Sequence, residues 1–95
     1  MTTVVLDLLD AHAQGTRELA SAHRQLAMLR ATRFEAWARS WVVSEGFGVT
    51  ERQNRCTADC ATLDAEISRA QGERDALVVE LHHAGLVLQY ADVQC

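Results

Sequence analysis

From Cys56 to Ala91 the chain repeats small or apolar residues at alternating spacings of four and three: Cys56, Cys60, Leu63, Ile67, Ala70, Arg74, Leu77, Leu81, Ala84, Leu88 and Ala91. Arg74 is the one charged member. A period between three and four, sustained over this length, draws a single stripe along an α-helix and cannot be laid on a strand, whose side chains alternate with period two. No proline occurs anywhere in the chain to interrupt it. The second half is therefore expected to form one helix over about 51–91. Thr50 followed three residues later by Gln53 is a capping-box pattern that opens it, with Glu51 favourably placed in the first turn.

The first half repeats with the same period. Leu19, Ala22, Leu26 and Leu29 make one seam, and Phe34, Trp37 and Trp41 continue it after a one-residue offset, so that the heptad relaxes to a hendecad between Leu26 and Trp37. Val5, Leu6, Leu8, Leu9 and Ala13 form an amphipathic beginning, and Gly15 is a candidate break. A first helix is expected over about 3–45, then a turn over 46–50 in which Gly46 and Gly48 take the left-handed conformation that ends helices. Reversal there sets Trp37 and Trp41 beside Cys56 and Cys60, Leu29 beside Ile67, Leu19 beside Leu77 and Leu9 beside Leu88. Arg74 falls near Ala22, and its guanidinium is expected to reach Glu18 or another acid with its stem along the apolar surface. The expected fold is all-α: a single helical domain over 1–95, an antiparallel two-helix hairpin of coiled-coil kind that assembles into a helical bundle.

An apolar fraction of 48% with 23% charged residues is that of a folded chain. The apolar runs are too short to span a membrane, and no basic stretch followed by an apolar one opens the chain. A cytoplasmic protein with no membrane contact is the expectation. Three cysteines at unlike spacings do not make a disulfide framework. Formal charge is −2 over residues 1–15, +3 over 16–55 and −5 over 56–95, so the two halves carry opposite sign.

Cys56 and Cys60 stand one helical turn apart, a spacing that can place two thiolates on one metal. The four histidines, His12, His23, His82 and His83, are not brought to them by the pairing, so both cysteines are read as small buried apolar residues and Cys95 as a free terminal thiol. His12 and His83 can meet, but nothing supplies further ligands at a recognisable spacing. No nucleophile elbow or phosphate loop is present: Gly46-Phe47-Gly48 is short, lacks a following lysine and follows no strand. Neither catalysis, nor a cofactor, nor a metal is expected.

The uncovered stripes point instead to association. Ala27, Ala31, Phe34, Ala38 and Val42 form a second apolar row on the first helix, with Met28 and Val43 beside it. Ala58, Ala61, Ala65, Ser68, Gly72, Ala76 and Val79 form a row of small residues on the second, ending in Leu86, Val87 and Tyr90. Two helices cannot hide both rows, so a dimer is expected that also binds a protein partner. Its candidate interaction face comprises Ala31, Phe34, Ala38, Val42, Ala61, Ala65, Val79 and Tyr90. The alternative is an accessory protein that contacts nucleic acid through Arg33, Arg39, Arg52 and Arg55 near the turn, although the overall balance is acidic.

The stretch Gly48-Val49-Thr50-Glu51-Arg52, after an aromatic helix end and before an Arg-, Ala- and Glu-rich helix, resembles small helical-hairpin proteins of bacteriophages that infect high-GC actinobacteria. The likeness covers roughly residues 34–81 and implies an accessory protein of the infected cytoplasm. All nine basic residues are arginine, which fits such a coding genome. In length and helical plan the chain is also similar to the Trp-x-Gly (WXG) family of secreted hairpin proteins. It departs from that family where Val43 replaces the glycine after Trp41 and where Gln94, not an acid, follows Tyr90 by four.

Overall fold

A computed structural model of the chain describes residues 3–94, apart from the side chains of Asp92 and Gln94. Cys95, expected as a free thiol, lies outside the described residues. The protein is all-helical: α1 (Thr3–Val43), α2 (Val49–Asp59) and α3 (Ala61–Gln94), with no strand among the described residues. None of these helices is long and apolar enough to cross a membrane. The chain divides into two compact units, Gln25–Gln71 and Met1–Arg24 with Gly72–Cys95.

Four expectations about the helices are corrected: the single second helix, the position of the turn, its left-handed glycines and the capping box. The second half holds two helices rather than one, because Cys60 has φ −95° and ψ 1°, away from the helical ψ near −42°. The departure is local: Cys60 N–H still donates to Cys56 O at 3.1 Å and Asp64 N–H to Cys60 O at 2.8 Å. The turn also comes earlier than expected, over residues 44–48, and no glycine in it adopts positive φ. Ser44 N–H keeps an i−4 bond to Ser40 O, while Glu45 and Phe47 N–H tighten to i−3 bonds on Val42 O and Ser44 O. That 3₁₀-like winding closes the helix end without a left-handed residue. The N-cap of α2 is Gly48 in extended conformation, with no side chain to cap it; Thr50 lies inside the helix and makes no capping box. Glu51 does occupy the first turn, where a negative charge favours the helix dipole.

Within Gln25–Gln71, the end of α1 packs antiparallel on α2 and the start of α3. Leu26, Cys56, Cys60 and Ala70 are its buried apolar residues. Burying a leucine is worth about 1.5–3 kcal/mol, and the half-buried Leu29, Trp37, Trp41, Leu63 and Ile67 add to what this small set contributes. The seam on α1 continues from Leu26 and Leu29 through Arg33, takes in Ala36, Trp37, Ser40 and Trp41, and closes on Ser44. It bypasses Phe34, which is 76% exposed, contrary to the expected course through the aromatics. The cause lies in size. Toward the turn the buried positions along this seam are small: Ser40 and Ser44 on one side and Cys56 and Cys60 on the other. Cys56 Sγ faces Trp37 O and Cys60 Sγ faces Arg33 O, too close a backbone approach to enclose an indole. Trp37 and Trp41 are pushed to the flank, half-buried rather than enclosed.

In the other unit the seam runs through Val5, Leu8, His12, Gly15, Leu19 and Ala22 on α1 and through Arg74, Leu77, Leu81, Ala84, Leu88 and Ala91 on α3, all half-buried. Leu9 is exposed, so Leu8 takes the place expected of it. α1 passes through Gly15 without a break. A Cβ on Gly15 would stand 2.7 Å from Leu81 Cδ2, which makes this glycine a seat for Leu81 rather than a helix stop. Glycine inside a helix costs about 1 kcal/mol against alanine, and the leucine packed in its place offsets that. Half-buried Arg74 reaches an acid, as expected: its partner is Asp75 at 3.0 Å, while the Glu18 carboxylate accepts from Gln14.

Candidate functional site

The residues of the expected interaction face are all exposed. Ala31, Phe34, Ala38 and Val42 follow one another along α1 in the Gln25–Gln71 unit, and Ala61 and Ala65 lie on α3 in the same unit. Val79 and Tyr90 belong to the other unit. The α1 set is the most developed. Phe34, Trp37, Ala38, Trp41 and Val42 line a shallow apolar groove that Gln53 of α2 closes on its far side. Val42 is 67% exposed, and Met28 and Val43 beside the row are exposed as well.

The flanks of this surface are set by cation–aromatic stacking. The Arg52 guanidinium lies 3.9 Å from the centre of the Trp41 ring, and its Nε donates to Trp41 O at 2.7 Å. Arg55 lies 3.7 Å above the Phe47 ring and 3.5 Å from Glu51. Arg33 sits 5.2 Å from the Trp37 ring and donates to Asp64 at 2.6 Å; the hydrogen bond to Asp64 raises the guanidinium pKa further above its ordinary value. Arg39 is the loosest of the four, 3.8 Å from Glu35 on the same helix. Each arginine singled out for nucleic acid thus has a partner within the chain.

Cys56 and Cys60 are free thiols that point at carbonyls: Cys56 Sγ to Trp37 O at 3.7 Å and Cys60 Sγ to Arg33 O at 3.9 Å. Among the described residues no group of three or more His, Cys, Asp or Glu is arranged to hold a metal ion.

The sequence reading missed Ser40. Its hydroxyl donates to Asp59 Oδ2 at 2.6 Å, joining α1 to the last residue of α2. The signal was present: counting three and four onward from Leu29 reaches Arg33, Ala36 and Ser40, but hydrophobicity drew the seam toward Phe34.

Compared with family models, with curated proteins and with solved structures, the chain matches none of them.

Proposed function

We propose that this chain is a non-enzymatic helical interaction protein that self-associates and presents the apolar face of α1 to a protein partner. The observation that carries the reading is the exposed row through Phe34, Ala38 and Val42, continuous with the groove beside Trp37 and Trp41. Covering a large apolar side chain is worth about 1.5–3 kcal/mol, and a row of them can outweigh part of the entropy lost on association. The assembly we infer joins two antiparallel hairpins in a four-helix bundle, which gives such a row a place to be buried. Stacked and ion-paired arginines favour this reading over a nucleic-acid contact, because phosphate binding would have to compete with partners already in place. The likeness of the Gly48–Arg52 stretch to phage hairpin proteins supports an accessory role in a host cytoplasm.

Phe34→Asp tests the face. Phe34 is mostly exposed, so the variant keeps its helical circular dichroism, while association measured by light scattering over a dilution series is lost. A Phe34→Asp protein that associates as the parent does removes this face from the account.

A further inference from the structure

We infer that the groove between α1 and α3 in the unit of Met1–Arg24 and Gly72–Cys95 is a docking site for an amphipathic helix of another protein, one that carries arginine or lysine beside its apolar row. The Phe34 row belongs to the other unit, and the inference needs no self-association. The groove has a volume of about 310 Å³. Leu81 leans into the space that Gly15 leaves, and with Leu77 and Ala84 it makes an apolar floor. All four residues are only half-buried. No described residue of this unit reaches the burial of Leu26 or Cys56, so two helices leave its core unfinished, and a third laid along the groove completes it. Charge selects the third helix. Glu18 stands on the α1 bank and Glu80 on the α3 bank, both exposed. Glu18 accepts from the neutral amide of Gln14 at 3.2 Å, and Arg17 donates to the same Gln14 at 2.7 Å rather than to Glu18. Among the described residues neither Glu18 nor Glu80 has an ion-pair partner. The imbalance runs through the unit, in which seven acids stand against three arginines, whereas Gln25–Gln71 holds six of each. A basic helix therefore gains ion pairs at both banks as its apolar row covers the floor, and an acidic one is repelled.

A labelled synthetic peptide tests the groove. The probe is a helix of about four turns with leucines at alternating three and four spacing and arginines on either side of them, and its twin carries glutamate for arginine. In fluorescence anisotropy the arginine peptide binds the full chain saturably at a single class of site, and the glutamate peptide does not bind. Glu18→Gln and Glu80→Gln each weaken binding about tenfold, while Glu73→Gln, in the same unit but outside the groove, stays within about twofold of the parent. Ala11→Phe, at an exposed position on the α1 bank, fills the groove and abolishes binding with helical circular dichroism unchanged. Equal losses from the three glutamine variants, or an Ala11→Phe chain that binds as the parent does, mean attraction to net charge alone and overturn the inference. Binding of the glutamate peptide overturns it as well. Displacement of the probe by octylammonium as readily as by unlabelled peptide makes the groove a site for small organic cations and overturns the helix as its occupant.

Discussion

Within the Gln25–Gln71 unit, four buried side chains are small, which lets the helices approach closely. Cys56 and Cys60 are wholly enclosed, and Ser40 and Ser44 nearly so. Replacing Cys60 with leucine adds volume where there is none to spare and should lower stability by about 1–3 kcal/mol in denaturant unfolding, with Cys60→Ala the milder change. Trp37→Ala should cost about 2 kcal/mol, below the 3–5 kcal/mol of a fully buried aromatic, because the indole is only half-covered. A Cys60→Leu protein as stable as the parent, or a loss at Trp37 of the about 3–5 kcal/mol that a fully buried aromatic gives, would contradict this packing. The enclosed cysteines were legible in the sequence because they continue a heptad stripe bounded by charged residues. Ser40 and Arg33 were not, because a polar residue at a seam position carries no hydrophobic signal; its burial depends on partners, Asp59 and Asp64, that lie across the turn.

The helices differ in how firmly each stretch is held. Leu26 on α1, Cys56 on α2 and Ala70 on α3 are buried within Gln25–Gln71. In the unit of Met1–Arg24 and Gly72–Cys95, no described residue reaches that degree of burial. Local opening is easiest where few apolar contacts oppose it. Amide hydrogen exchange should therefore show protection about tenfold or more higher in the middle of the chain than over residues 3–24 and 72–91. Uniform protection, or the reverse order, would contradict the distribution of the core. The stripe from Cys56 to Ala91 was fully readable, since every one of its positions is buried or half-buried, including Arg74. The junction at Cys60 was not, because a single change of ψ leaves the heptad spacing untouched. Nor was the turn, where glycines that permit a left-handed conformation do not require one.

For the molecule as a whole, the all-helical class follows from periodicity and the absence of proline, whereas association depends on surface that one chain leaves open. Phe34 and Val42 are apolar, two turns apart in one row with Ala38 between them and mostly exposed on α1, and they line a groove with Trp37 and Trp41. A soluble monomer seldom keeps such a strip in water. Under the proposed self-association, mass action makes the state of the chain depend on its concentration, with burial of the strip contributing to stability only where the partner is present. Light scattering coupled to size exclusion, over a wide range of loading concentrations, measures this directly. For the proposed dimer the mass rises toward twice 10.5 kDa as concentration increases. A mass of 10.5 kDa at every concentration would contradict it.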